Sequence, residues 1–370
     1  MFSPKAPGRI GNPKMTLESE PRLNPKVLKA LIALGMHKDS TLAVPVTTES
    51  LLEHRIAFER AKEAGLEALL NSFDFSLPVP GDANASVQLT RHEEFITGRD
   101  GNAIKVIIQR PADAAETPLP GVIYLHGGGM IILHTELEMT VSWAASLARL
   151  GMVAVLVDFR NALGPEGEDL RPFPRGLNDC VDATRWVHAN KERLGISKLI
   201  LQGDSGGANL SIATVLRASH EGWVHEIDGV FASAPYISNA YHMPDEWKLE
   251  HLPSLVECDG YIVDNKVNEL SARLYDPTGE NAKSPFAWPY WATEEQLKGL
   301  PPHFILADEL DPLRDEGVDF ARKLARAGVN VVGKVHLGAV HVGDIFLRYA
   351  VPELFLDLLG EIKTFIDRLN

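Results

Sequence analysis

Three stretches of the chain combine reactive side chains with glycine-rich backbone. The first is Gly203-Asp204-Ser205-Gly206-Gly207-Ala208-Asn209, which follows the apolar run Leu199–Leu201 and precedes a helical pattern. A serine exposed at a sharp strand-to-helix turn needs small residues two positions before and after it, and Gly203 and Gly207 supply them. Taken alone, this G-x-S-x-G spacing fits an ordinary βα turn equally well; the strand before it and the helix after it are what point to a nucleophile. The first N–H groups of that helix face whatever Ser205 attacks and favour developing negative charge there.

The second stretch is His126-Gly127-Gly128-Gly129, at the end of the apolar run Val122–Leu125. Three consecutive glycines cost conformational entropy on folding, which suggests backbone held close to a ligand. In acyl transfer such a run, with the N–H of Gly206, would donate to a tetrahedral oxyanion. A phosphate cradle fits poorly, because Met130-Ile131-Ile132-Leu133 follows where a Gly-Lys-Ser/Thr would be needed. Gly203 to Gly207 likewise does not match the dinucleotide pattern G-x-G-x-x-G.

The third is an acid and a base at the ends of two later runs. His303–Leu306 leads to Asp308, Asp311 and Asp315, and Val329–Val335 leads to His336 and His341. A carboxylate there can hold an imidazole's tautomer while the imidazole takes the serine proton, and the chain order Ser, Asp, His suits a strand-and-helix scaffold. Spacing alone leaves open which carboxylate and which histidine. His126 and His134 flank the glycine run and read as hydrogen-bonding supports. The thirteen histidines include no H-E-x-x-H or comparable pair, so no metal is expected.

These residues need a scaffold that brings strand ends to one edge. Short apolar runs alternate with helical patterns after residue 80, the mark of an α/β fold with a mostly parallel sheet. Eight strands are expected, at Glu94–Thr97, Ile104–Gln109, Val122–Leu125, Val153–Val157, Leu199–Leu201, Gly229–Ser233, His303–Leu306 and Val329–Val335. Asp100-Gly101 between the first two favours a hairpin, so the sheet should open antiparallel and continue parallel. Helices are expected over Leu177–Lys191, Ala208–Ser219 and Val318–Ala325, with a last one burying Leu358, Leu359, Ile362, Phe365 and Ile366.

Before Leu77-Pro78-Val79-Pro80-Gly81, residues Leu23 to Phe75 repeat apolar positions at spacings of three and four, as in Leu66, Leu69 and Leu70. A second departure from the alternation, Ser238 to Trp288, is too long for a plain loop and suggests function. The organisation expected is a helical cap segment over 1–80, core over 81–237, a cap insertion over 238–288 and core again over 289–370. Plausible pocket walls are Met130, Ile131, Phe159, Tyr236, Tyr241 and Trp247.

Composition removes other classes. The chain has 370 residues, 45% apolar and 23% charged, and a net charge of −14. It can bury a large core, and without a basic run it does not read as a nucleic-acid binder. Two cysteines, Cys180 and Cys258, are too few for a disulfide framework and fit a cytoplasmic setting. Neither a signal peptide nor an apolar run of about 18 residues is visible, so no membrane partner is expected. Oligomeric state is not legible beyond a homodimer as one option.

Taken together, His126-Gly127-Gly128-Gly129, Gly203-Asp204-Ser205-Gly206-Gly207, Asp311-Pro312-Leu313 and His341 resemble the hormone-sensitive-lipase-like family of α/β-hydrolase carboxylesterases, from about Glu94 to the C-terminus. The resemblance implies an α/β-hydrolase fold with a helical cap, and ester hydrolysis through an acyl-enzyme without a cofactor. It selects Asp311 as the triad acid and His341 as the base for Ser205, with Gly128, Gly129 and Gly206 as oxyanion donors. Two departures stand out. Gly206 replaces the family's usual Ala, and Asp158-Phe159-Arg160-Asn161-Ala162 replaces its common D-Y-R-L-A stretch. The second variant looks closest to the brefeldin A esterase branch, so the small-molecule substrate implied is an ester of short to medium acyl chain, with a macrocyclic lactone as the further class. The rival reading is a small-molecule receptor on the same fold; plant receptors of this kind have lost the catalytic histidine, whereas His341 is present here.

Overall fold

In the computed structural model, which describes residues 6–38, 46–114 and 118–369, the alternation of short apolar runs becomes one eight-stranded sheet. Its strands are β1 (Leu89–Thr97), β2 (Ala103–Pro111), β3 (Leu119–Leu125), β4 (Val153–Asp158), β5 (Ile196–Asp204), β6 (Gly229–Ser233), β7 (His303–Leu310) and β8 (Val331–Val340), in the order β1-β2-β4-β3-β5-β6-β7-β8. β1 pairs antiparallel with β2, and β2 with β4; every other pairing is parallel. The hairpin expected at Asp100-Gly101 is present, with Gly101 at φ +77°.

Successive strand residues point to opposite faces, and both faces are buried. Ile123 and Leu125 join Val153, Val155, Leu199 and Leu201 on one side. Val122 and Tyr124 join Ala154, Leu156 and Ile200 on the other. The longer helices are α1 (Pro25–Ala33), α2 (Leu52–Leu70), α3 (Glu138–Arg149), α4 (Arg175–Ala189), α5 (Gly206–Glu221), α6 (Asp245–His251), α7 (Asn265–Tyr275), α8 (Arg314–Arg326) and α9 (Pro352–Asp367). α4 and α5 cover the first face, α3 and α9 the second. The apolar stripe expected on the last helix is buried as α9.

Two differences from the sequence expectation have physical reasons. α3 is not among the helices expected from sequence: its buried stripe, Thr140, Trp143, Ala144, Leu147 and Ala148, is more than half alanine and threonine and so carries only a weak apolar signal, yet it packs on the second face. β8 begins two residues later than expected and runs five further, through His336, Leu337, Gly338, Ala339 and Val340. Gly338, at φ +71°, sits within the strand, its N–H donated to Glu309 Oε2. A register shift against β7 between Asp308 and Leu310 accommodates it. His336 therefore lies within the strand, paired in register with Asp308.

The N-terminal helical segment folds back over the sheet. Leu17, Leu23, Val27 and Leu31 pack with Cys258, Tyr261, Leu310 and Val340. Positions 39–45 of the helical stretch read from sequence lie outside the described residues. No helix among the described residues is long and apolar enough to cross a membrane.

Candidate active site

Ser205 stands between β5 and α5 with φ 53° and ψ −117°, a conformation rare for a residue with a side chain. Close backbone approach on both sides fixes the turn. A Cβ at Gly203 would lie 2.3 Å from the Gly207 carbonyl, and one at Gly207 would lie 1.9 Å from the Leu125 carbonyl oxygen. The Ser205 N–H donates to Ser233 O at 2.9 Å, and its carbonyl accepts from Tyr236 N at 3.2 Å. Although Ser205 occupies the N-cap position of α5, its hydroxyl makes no capping bond. It meets His341 instead.

β3, β5, β7 and β8 run parallel, so the residues following them meet at one edge of the sheet. His341 Nε2 lies 3.1 Å from Ser205 Oγ, and His341 Nδ1 lies 2.7 Å from Asp311 Oδ2. The other oxygen of the fully buried Asp311 accepts the Leu313 N–H at 2.9 Å. Asp308 and Asp315 are held elsewhere: Asp308 Oδ2 accepts the Val342 N–H at 2.9 Å, and Asp315 pairs with Arg314 and Ser254 N. Burial opposes protonation of His341, but the Asp311 carboxylate outweighs it and holds the imidazole pKa above its ordinary 6.5.

The glycine run reaches the same place. A Cβ added at Gly206 would lie 2.7–2.8 Å from Met130 N and from Gly129 N and Cα, so Gly206 packs directly on the glycine run, of which Gly128 and Gly129 line the cavity over Ser205. Gly128 and Gly129 have φ +103° and +64°. His126 props this loop: its Nδ1 contacts Gly127 O at 2.7 Å, and its ring stacks on Phe159 at 4.4 Å. Burial keeps it neutral, with its pKa lowered to about 4. Asp204, pushed up to about 6 by burial, accepts the Tyr124 hydroxyl at 2.7 Å beneath the turn.

A cavity of about 570 Å³ opens over Ser205 and His341. Of the six expected wall residues only Tyr236 lines it. The others are corrected as follows. Met130 and Ile131 are turned into the core behind the glycine run, and Phe159 is occupied by His126. Tyr241 donates to the buried Glu316 at 3.0 Å and stacks behind Tyr236, while Trp247 stacks on His251. The walls come instead from α2, through Phe58, Lys62, Leu66 and Leu69, and from α7, through Asn268 and Ser271. Leu66 and Leu69 were legible as a helical stripe; that the stripe faces a cavity was not. Glu316, pushed up to about 8 by burial, also escaped sequence reading; it holds Ile237 N and Tyr241 in place.

Behind His341 lies a buried ionic cluster. Asp308, His336 and Asp344 bring potential metal-ligand atoms within 4.8 Å of one another, the one such group among the described residues. His336 Nδ1 is 3.6 Å from Asp344 and its Nε2 3.7 Å from Glu361. Burial disfavours its charge, yet these carboxylates raise its pKa to about 10. Asp308 also accepts the Val342 N–H at 2.9 Å, so the cluster braces the turn after His341.

Relatives share this framework. The profile of the alpha/beta hydrolase fold family matches residues 122–344. The carboxylesterase NlhH of Mycobacterium tuberculosis is 33% identical over 65% of this chain and 72% of its own. An ethyl acetate hydrolase of Pseudomonas putida is 29% identical over 66% and 73%. The solved structure of brefeldin A esterase, a bacterial homologue of human hormone-sensitive lipase, superposes with a TM-score of 0.93 at 43% identity, covering 98% of each chain. The chain thus belongs to the α/β-hydrolase fold family, alongside the carboxylesterases related to hormone-sensitive lipase, and is a carboxylic ester hydrolase.

Proposed function

We propose that Ser205, His341 and Asp311 hydrolyse esters through an acyl-enzyme. The observation that carries this is the continuous contact from Ser205 Oγ to His341 Nε2 and from Nδ1 to Asp311. Ser205 Oγ attacks the ester carbonyl as its proton passes to Nε2, and Asp311 stabilises the imidazolium that forms. The carbonyl oxygen takes up the negative charge and accepts hydrogen bonds from the Gly128, Gly129 and Gly206 amides. Collapse breaks the bond to the alcohol oxygen, which receives the proton from Nε2. Water then attacks the acyl group with His341 again as base, releasing the acid and restoring Ser205.

The N-terminal helices and residues 238–288 act as a cap, since α2 and α7 wall the cavity from above the sheet edge. Such a roof bounds acyl length and favours short to medium chains. A macrocyclic lactone is the second substrate class, supported by the 43% identity over 98% of the chain to a structure titled brefeldin A esterase. The test is labelling by a fluorophosphonate, with Ser205→Ala as control, beside turnover of p-nitrophenyl esters of rising acyl length and of a macrocyclic lactone. Labelling lost in Ser205→Ala and a rate maximum at four to eight carbons are expected. An unlabelled wild type would overturn the serine mechanism and support a receptor.

A further inference from the structure

The cavity is apolar where Leu66, Leu69 and Phe73 face it, but the wall between α2 and α7 is not. Glu59 is fully buried there. Its Oε1 accepts the Ser271 hydroxyl at 2.7 Å, and its Oε2 is paired with the Lys62 ammonium. Lys62 Nζ also donates to Ser271 Oγ at 3.2 Å. An ammonium has three donors, and these contacts occupy two of them. Beside it on the cavity wall stands Asn268, whose carboxamide nitrogen is buried without a partner while its backbone carbonyl accepts the Tyr236 hydroxyl at 2.6 Å.

This polar patch is close to the reacting carbonyl. A Cβ at Gly129 would lie 3.9 Å from Ser271 Cβ and 3.9 Å from Tyr236 Cε1, so the patch adjoins the glycine run. A buried polar group left without a partner is costly, and apolar side chains would seal the wall more cheaply. The charge balance defines the ligand further. Glu59 neutralises Lys62, and Asp264, the N-cap of α7, faces the same cavity. A carboxylate or phosphate would therefore gain little, whereas a neutral acceptor oxygen can take the remaining donors.

We infer that Lys62, with Asn268 beside it, forms a subsite for a second oxygen of the ester substrate, a ketone, ether or further ester carbonyl, held beside the scissile group: the ammonium donates its remaining hydrogen, and the enclosed Asn268 carboxamide turns on its side chain to donate as well. The inference rests on the hydrolase reading above and narrows its substrate class: esters carrying an additional neutral oxygen function are preferred to plain alkyl esters of equal length. One hydrogen bond with a charged or buried donor gives a preference of about tenfold or more.

Two matched series read it. One pairs p-nitrophenyl oxoalkanoates of five to eight carbons with the corresponding alkanoates; the other pairs ketoalkyl with alkyl butyrates. In the wild type, kcat/KM should favour the oxygenated member at least tenfold at one length in one series, and Lys62→Met and Asn268→Leu should bring that ratio to near one. Calorimetry on Ser205→Ala with the same pairs reads the subsite without turnover and should give a matching ratio of dissociation constants. Ratios near one throughout, or ratios that both variants leave intact, would overturn the subsite. Loss of plain-ester turnover in Ser205→Ala tests the hydrolase reading separately, so either can fail while the other stands.

Discussion

Gly128 and Gly129 are adjacent, both lie at positive φ, and both are assigned the same role, yet the surroundings separate them. Gly128 has φ +103°, and a Cβ there would lie 2.2 Å from Ile132 O and 3.0 Å from Ile132 C. Its own carbonyl accepts Ile131 N at 3.0 Å and Ile132 N at 3.1 Å, closing the turn that aims the amides. Alanine at this position must drive the two strands of that turn apart by about 1 Å, a misplacement that can cost 10²-fold in rate. Donors must sit about 2.7–3.1 Å from the oxyanion, so at least one is lost, at a cost of about 10²–10³ in kcat. Gly129 differs: its φ of +64° is the left-handed well, and the nearest atoms to an added Cβ are 3.9 Å away. Alanine there costs about 1–2 kcal/mol of backbone strain, which falls on folding stability. Turnover of p-nitrophenyl butyrate and thermal melting of both variants should give at least a hundredfold fall in kcat for Gly128→Ala, and less than tenfold with a lowered Tm for Gly129→Ala. Equal losses, or a Gly128→Ala enzyme near wild type, would refute the assignment of the donors to this turn.

Other expectations follow from the same geometry. Because Asp311 holds the His341 pKa above 6.5 against burial, and only the neutral ring accepts the Ser205 proton, kcat/KM should rise with pH and reach half its plateau above pH 6.5; an acid limb at or below that value contradicts the pairing. His336, charged up to about pH 10 in the fold but only to about 6.5 when unfolded, contributes stability that is complete below pH 6.5 and lost as pH rises through 10. His336→Gln should cost about 3 kcal/mol or more at neutral pH by leaving the buried Asp344 without its cation, while Glu361 keeps Lys334, and should flatten that alkaline decline; an unchanged Tm–pH curve counts against the cluster. Gly207→Ala, which places a Cβ 1.9 Å from Leu125 O, should lose about 3 kcal/mol or more of stability in denaturant melts, and a normal midpoint would mean that the elbow is looser than described.

What the chain reveals before folding follows the range of the forces involved. The strands are legible because apolar runs such as Val153–Val157 are buried on both faces and carry their signal locally. The serine turn is legible because its own sharpness demands Gly203, whose neighbours are Gly207 and Ala208, although the demand for Gly207 comes from the distant Leu125 carbonyl. Whether Asp308, Asp311 or Asp315 meets the histidine is set by the register of β7 against β8, which spacing does not encode; resemblance had to choose, and the structure places Asp311 against His341. The cavity walls were least legible. Phe159 and Tyr241 are aromatic and near the motifs in sequence, yet both are consumed in supporting His126 and Glu316. Lys62 and Asn268 look like surface residues of polar helices until α2 and α7 are laid against each other.

The chamber above Ser205 is built from two sources that meet only in the folded molecule. Its floor comes from loops that leave the parallel strands, where a single misplaced amide is ruinous. Its ceiling comes from two helices some two hundred positions apart, and it carries none of the proton-handling atoms. Mutations in those helices can drift through many shapes and polarities while the reaction below persists, so appetite for new compounds can diversify in a lineage faster than the chemistry that digests them.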